Sequence, residues 1–396
     1  MENQKPPRRR SGFWVKFRWG FGIIVLSFML GIWITGYTYI YKTLIYTYPN
    51  IDDIGLFDTR SIDDTTGVPW PNAASYNKDS FPIETIAALE ENESVAFLVI
   101  KNDSVVHEQY WDHYSVNQLS NSFSMAKSIV SILAGIAIHE GYFSLDDSVG
   151  KYFPHFNKGM NAKLKVKNLL EMSSGLNWDE AYNSIFSKTT KAYYGTDLKD
   201  QVLSLNVIRE PGTKFEYMSC NTVLISLIIS KTTGMTISEF ASRKLWKPIL
   251  ATDVAYWSLD HNEGLEKSYC CFYSCARDFA RIGKLYMDSG AWNGNQLVPK
   301  DFVKYSLTPN HIPDETGNPT DYYGAHWWLM NYKGHEIFYA RGIQGQYIIS
   351  IPDERMIIVR LGNKRGNKDK DGHYDDMKKY LDGALKLYST KKVTLP

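Results

Sequence analysis

The sequence predicts an α/β (α+β) fold: an antiparallel sheet flanked by helices, with an inserted all-helical lobe, preceded by one N-terminal transmembrane helix. Three observations carry this expectation. Strand-like runs stand at both ends of a region spanning about residues 91–390. The middle of that region, about 142–260, reads as helices and loops. Ahead of it, Arg18 and Lys42 bracket 23 uncharged residues, WGFGIIVLSFMLGIWITGYTYIY. Strands enclosing a helical middle describe a sheet whose faces are covered by helices.

The elements follow in chain order. Residues 1–18 form a basic tail, with Lys5, Arg8, Arg9, Arg10, Lys16 and Arg18 against the single acid Glu2. Residues 19–41 are long enough to cross a bilayer as a helix. Trp19 at one end and Tyr37, Tyr39 and Tyr41 at the other suit the two interfaces, and the basic tail puts the N-terminus in the cytoplasm. The competing reading is a cleaved signal peptide, but the stretch after Gly36 is bulky rather than A-x-A-like. An uncleaved single-pass anchor in a bacterial inner (cell) membrane is the expectation, with the remainder extracytoplasmic, or periplasmic in a double-membrane cell. Residues 42–90, rich in proline and turn residues, read as a linker and lead-in.

At residue 94 the pattern changes. SVAFLVI and VVHEQYW, separated by Lys101–Ser104, form a hairpin. The run SMAKSIVSILAGIAIHEG is apolar nearly all round, as a central buried helix must be, and Gly141 takes the position after its last turn. Loops at Ser173-Ser174-Gly175, Pro211-Gly212 and Gly234 divide the helical lobe. A helix is expected at 275–289, strands at GAHWWLMNY, EIFYARG, QYIISIPD and MIIVRLGN, and a last helix at 374–388.

The composition is that of a folded protein: 44% of residues are hydrophobic and 22% charged, which excludes a disordered chain, a collagen and a polytopic membrane protein. The net charge of +1 conceals a division, because the residues after the basic tail carry 38 basic and 42 acidic side chains, a net of −4. A mildly acidic body is no nucleic-acid binder. Cys220, Cys270, Cys271 and Cys275 lack zinc spacing. A disulfide is possible outside the cytoplasm, but neighbouring Cys270 and Cys271 rarely pair, so small buried or free thiols are expected. His107-Glu108 and His113 lack H-E-x-x-H spacing and fall on a strand, which reads as surface polar residues. No P-loop or dinucleotide fingerprint is present, and no metal, cofactor or obligate protein partner is expected.

The chemistry concentrates at Ser124-Met125-Ala126-Lys127. Residues three apart share a helix face, so hydroxyl and amine come within reach. A serine needs an adjacent base to become a nucleophile, and a lysine in a water-poor site is suited to that task. The helix N-terminus offers free N–H groups to an oxyanion. Serine at a helix start is also ordinary capping, so this quartet alone is a weak signal.

Its setting sharpens it. Phe123-Ser124-Met125-Ala126-Lys127 is followed by Glu140-Gly141 through Leu145-Asp146-Asp147 to Pro154, then Leu169-Leu170 to Ser174-Gly175-Leu176, then Pro211-Gly212-Thr213-Lys214-Phe215-Glu216-Tyr217. In this order and spacing the chain resembles the serine β-lactamase and penicillin-binding-protein superfamily, in its class C-like branch, over about residues 90–390. The block FYARGxxGQYIxxxPD is most similar to 6-aminohexanoate-dimer-hydrolase-like and esterase members. The resemblance implies Ser124 as nucleophile, Lys127 as its partner and Tyr217 as second base. It implies an oxyanion hole from the backbone N–H groups of Ser124 and Ile343, and substrate contacts from Ser219, Arg341, Gly342 and Gln344. Two positions depart from the pattern. Ser219 replaces an amide, leaving Asn221 a structural role, and Ala340 replaces the basic residue before Arg341-Gly342, which weakens the case for β-lactam recognition. Strand alternation leaves open whether Arg341 faces the cleft. Trp327 and Trp328, with Tyr322, Tyr323 and Tyr339, either line the cleft or pack in the core.

The expectation is a membrane-anchored extracytoplasmic serine hydrolase that cleaves a small ester, amide or short peptide through an acyl-enzyme on Ser124. The alternatives are a D-amino-acid peptidase or a β-lactamase/penicillin-binding activity, a non-turnover acyl-binding sensor, and an inactive scaffold.

Overall fold

A computed structural model describes residues 12–63, 67–370 and 372–390. Residues 1–11, which hold much of the basic tail, lie outside the described residues. Six strands form one antiparallel sheet: β1 (Ser94–Lys101), β2 (Ser104–Tyr110), β3 (Trp328–Tyr332), β4 (His335–Gly342), β5 (Gln346–Ile351) and β6 (Met356–Gly362), in the order β2-β1-β6-β5-β4-β3. Side chains alternate across a strand, and the burial follows. Leu98, Ile100, Ile348, Ile357 and Val359 enter the core on one face. Phe97, Val99, Ile349 and Ile358 enter the core on the other. With both faces covered, β1, β5 and β6 are buried along their whole length, so each reads as a continuous apolar run.

The helices that matter are α1 (Gly12–Thr35), α2 (Tyr39–Tyr46), α3 (Met125–His139), α4 (Ser219–Thr233), α5 (Ala276–Met287) and α6 (Asp375–Tyr388). Helix α5 packs on β5 and β6, while α6 pairs with a short helix, Ile83–Glu91. Helix α3 is buried from Met125 to Ala137 and packs against α4. Buried His326 bolts these layers together. Its Nδ1 lies 2.8 Å from the Leu170 carbonyl and its Nε2 lies 2.9 Å from the Thr222 hydroxyl. A carbonyl only accepts, so Nδ1 carries the proton. Burial lowers the His326 pKa to about 3, which keeps the ring neutral.

The mixed α/β architecture stands as expected, with several boundaries moved. The apolar N-terminal helix runs over Gly12–Thr35 rather than 19–41. Gly36, at φ +76°, ends it, a left-handed position where glycine is favoured. Residues Trp14–Thr35 have a mean hydropathy of 1.8 and are almost wholly exposed, so by length and composition this helix is a candidate bilayer span. Of the tyrosines read as interfacial, Tyr37 is exposed and Tyr39 is buried against the domain, while Tyr41 donates to the Met29 carbonyl.

The segment 42–90 is more than a linker. It supplies the end of α2, the strand Thr59–Ile62 and the helix Ile83–Glu91. Thr59–Ile62 pairs with Ala255–Ser258 in a second sheet that also holds Phe272–Ser274 and Ser120–Asn121. The third strand run begins at Trp328 rather than Gly324, because a turn closed by the Gly324 N–H on the Trp327 carbonyl precedes it.

Two readings are corrected. Glu108 is buried rather than a surface polar residue: it binds Arg277 in an ion pair and accepts from Tyr76 and Tyr110. His107 is half-buried against the Phe81 ring. His113 is exposed, as read. Cys270 and Cys271, expected as thiols, are joined by a disulfide, while Cys220 and Cys275 are free and buried.

Candidate active site

The turn before α3 is tightly determined. Asn121 accepts from the Phe123 N–H at 2.9 Å and donates to Tyr273 at 3.1 Å, and the Ser122 N–H binds the Phe272 carbonyl at 2.8 Å. These contacts hold Phe123 at φ +42°, a costly conformation for a non-glycine residue. Ser124 follows as the residue that starts the helix, but its hydroxyl caps no backbone N–H. Instead it accepts a hydrogen bond from Lys127 Nζ at 3.0 Å. Lys127, buried, gives a second hydrogen bond of 3.0 Å to the Tyr269 carbonyl. Its Nζ stands 5.0 Å from the centroid of the Tyr217 ring and 5.5 Å from that of Tyr269. Tyr217 lies in the loop before α4 and packs edge-on to Tyr323 and obliquely on Trp328. Lys127 thus stands near both Ser124 and the Tyr217 ring, which lie 93 residues apart in sequence.

Gly342, at the end of β4, makes room for this turn. A Cβ there would lie 2.4 Å from the Ser122 carbonyl oxygen and 3.0 Å from Phe123 Cβ. Ile343 follows and lines the same cleft as Ser124. Among the described residues, no protein acceptor occupies the backbone N–H of Ser124 or of Ile343. Free donors at such a position can receive the negative charge that develops on a carbonyl oxygen.

The remaining predicted residues separate. Ser219 does not reach the lysine. Its N–H and hydroxyl both bind the carboxylate of Glu180, at 2.8 and 2.6 Å. Arg341 faces the cleft: strand alternation puts it on the same face as Tyr339, where its guanidinium lies 3.2 Å from the Trp328 ring centroid and donates to the Gly372 carbonyl. Gln344 turns the other way and donates to the Pro49 carbonyl at 2.7 Å. Asn221 is buried and bound to Met172 Sδ. The aromatic run divides. Trp328 and Tyr322 line the cleft, Trp327 stacks on Tyr286 in the core, and Tyr323 and Tyr339 are buried behind.

Several residues that sequence reasoning missed complete the site. Tyr269 contributes a backbone carbonyl, which no side-chain motif can signal. Glu180 gathers Trp178 Nε1, the Tyr182 hydroxyl, and Ser219. Burial first, then the charge of Glu180, pushes the Tyr182 and Tyr269 phenols up, although half of Tyr182's surface is exposed. On the opposite wall Arg365 and Lys368 join Arg341. Burial of the Lys368 ammonium, then the charges of Arg341 and Arg365, lowers its pKa.

Ser124 stands where two cavities meet. One, of 740 Å³, runs toward Thr43 and Pro49. The other, of 1150 Å³, is bounded by Tyr217, Trp328, Arg341 and Lys368. A serine bound to an amine, beside free backbone donors and open to solvent space on two sides, is equipped for nucleophilic acyl transfer.

Fold and site together define a serine hydrolase class, and comparison with known proteins agrees. Residues 83–381 match the family model described as Beta-lactamase, and the chain belongs to that family. The 6-aminohexanoate-dimer hydrolase of Paenarthrobacter ureafaciens is 26% identical over 291 residues, covering 69% of this chain and 74% of that protein. A Bacillus anthracis structure assigned as a 6-aminohexanoate-dimer hydrolase superposes with a TM-score of 0.72 at 19% identity, covering 87% of this chain and 94% of the other. A family VIII carboxylesterase superposes with a TM-score of 0.60 at 14% identity, covering 80% and 98%. At these identities the two structures show the fold alone.

Proposed function

We propose that this protein is a membrane-anchored, extracytoplasmic serine hydrolase that cleaves an ester or amide through an acyl-enzyme on Ser124. The observation that carries the reading is the hydrogen bond from buried Lys127 to the Ser124 hydroxyl, beside the Tyr217 ring. In this reading Ser124 Oγ attacks the substrate carbonyl carbon, and its proton passes through Lys127 and Tyr217 to the leaving group. The Ser124 and Ile343 N–H groups hold the oxyanion. The ester or amide bond breaks, and water then releases the acyl group. Arg341 and Gly342 edge the leaving-group side. Ser219 shapes the cleft through Glu180, and Gln344 shapes it through Pro49. The bilayer is engaged through the N-terminal apolar helix, whose flanking basic residues favour a cytoplasmic N-terminus.

Ser124→Ala tests the mechanism: turnover of nitrophenyl acetate should fall by at least about a thousandfold with thermal unfolding unchanged. Undiminished hydrolysis would sink it. A second reading, a peptidase or penicillin-binding activity toward carboxylate-bearing substrates, is favoured by the cationic wall of Arg341, Arg365 and Lys368. Covalent labelling by fluorescent penicillin that disappears in Ser124→Ala distinguishes it. We expect weak labelling, because Ala340 leaves the usual basic position empty of charge.

A further inference from the structure

We propose that the 740 Å³ cavity is an acyl-chain channel opening at the membrane surface, and that the substrate is a bilayer-borne ester or amide whose acyl chain enters from the membrane side. The inference rests on the hydrolase and anchor readings above and names the substrate class for them.

The direction of the channel follows from the proton path. Tyr217 lines the 1150 Å³ cavity and not the other, so a leaving group that receives its proton there sits in the larger cavity. The acyl part must then lie on the opposite side of Ser124, in the 740 Å³ cavity. That cavity is walled by Thr43, Thr47, Tyr48 and Pro49, the segment that follows the apolar helix, together with Ile185 and Tyr194.

Helix α2 fixes this mouth in place. Tyr39, Ile40 and Thr43 are buried against the domain, and α2 packs on the helix Lys188–Tyr194. Apart from Thr47, the outward-facing residues of this stretch are apolar or aromatic: Leu44 is 57% exposed, Ile45 72% and Tyr48 69%. Trp33 and Ile34, near the end of α1 and a few residues before α2 in the chain, are exposed too, as is Phe186, next to Ile185 in sequence. Exposed apolar side chains that directly follow a bilayer-length apolar helix in the chain have one fitting occupant, the lipid phase itself. The facing wall carries Glu91, Asn363, Arg365, Asp375 and Lys379, a rim of both charges suited to the zwitterionic headgroup layer. An acyl chain reaching Ser124 from the lipid and a polar leaving group projecting away from it is the arrangement of an amphiphile.

The reaction balances. The acyl carbon exchanges its bond to the leaving oxygen or nitrogen for one to Ser124 Oγ, and the serine proton ends on the leaving group. Water then cleaves the acyl-enzyme to a carboxylic acid and regenerates the serine.

The test uses the full chain in phosphatidylcholine vesicles with nitrophenyl acetate and nitrophenyl dodecanoate. The ratio of kcat/KM, dodecanoate over acetate, should exceed one by about tenfold and fall by a similar factor in Ile185→Trp, which narrows the channel. The double variant Leu44→Glu, Ile45→Glu changes only exposed residues and should lower the same ratio by removing contact with lipid. A ratio at or below one in the unaltered protein, or a ratio moved by neither variant, overturns the channel while leaving the hydrolase reading intact. Failure to hydrolyse either ester overturns the hydrolase reading itself, and the channel with it.

Discussion

At the scale of single residues, Gly342 shows how narrowly the site is built. The turn carrying Ser124 passes so close to the end of β4 that a methyl group at Gly342 would meet the Ser122 carbonyl at 2.4 Å. Backbone atoms cannot retreat, so Gly342→Ala should displace Ile343 from Ser124. Losing one aligned oxyanion donor costs about 10²–10³ in kcat, with KM for nitrophenyl acetate changing far less. Steady-state kinetics check this, and an unchanged kcat would remove Ile343 from the proposed oxyanion hole. The pair Ser124 and Lys127 was legible in the sequence because three residues on a helix suffice to bring them together. Tyr217 was legible through its proline-glycine block. Glu180 and the Tyr269 carbonyl were not, since their approach to Ser219 and Lys127 depends on packing between distant segments. Arg341 was ambiguous by alternation alone, and the face it takes is decided by Trp328 on the neighbouring strand, over which its guanidinium stacks.

At the scale of elements, the sheet was legible where burial imposes continuous apolar runs and the central helix where every face is covered. The strand Thr59–Ile62 was not. It is short, only Ile62 is buried, and its partner Ala255–Ser258 lies far along the chain. Another junction that sequence does not reveal ties the end of α6 to the sheet. Glu354, in the β5–β6 turn, pairs with Lys101 of β1 at 2.8 Å and accepts from Ser389 and from Thr390 just past α6. Burial alone would raise its pKa, but the Lys101 bond and the Ser389 and Thr390 donors outweigh it and hold the carboxyl at about 2, against an ordinary 4.5. The folded state therefore binds this proton less readily than the unfolded chain, so the stabilisation is complete above pH 4.5 and is lost as pH falls toward 2. A shift of this size corresponds to about 3 kcal/mol. Urea unfolding of the wild type and of Glu354→Gln at pH 7 and pH 3 checks it: the difference between them should shrink at the lower pH. A constant difference would mean the carboxylate charge is not what holds the junction.

At the scale of the whole molecule, the near-neutral total charge resolves into a basic N-terminal stub, an apolar helix and an acidic catalytic body, and α2 couples the last two. Its buried residues Tyr39 and Ile40 seat the chain leaving the apolar helix on the lobe that bears Tyr193 and Tyr194. Four residues beyond α2's last residue Tyr46, the path has reached Asn50, and between them the Pro49 carbonyl receives the Gln344 amide. Gln344 adjoins Ile343 and is itself held at φ +61°, so the segment that follows the apolar helix braces the loop that presents the proposed oxyanion donor. Loosening α2 should therefore be felt at Ser124. Ile40 is 2% exposed, and its replacement by alanine should destabilise by about 2–4 kcal/mol where the site stays docked, or release α2 altogether. In either case kcat for nitrophenyl acetate should fall, although Ile40 lines neither cavity. Gln344→Ala, which removes the brace without touching α2, should lower kcat similarly while leaving the thermal midpoint nearly unchanged. If Ile40→Ala lowers stability and Gln344→Ala leaves kcat intact, α2 and the segment after it are packing elements only, and their coupling to the catalytic loop fails.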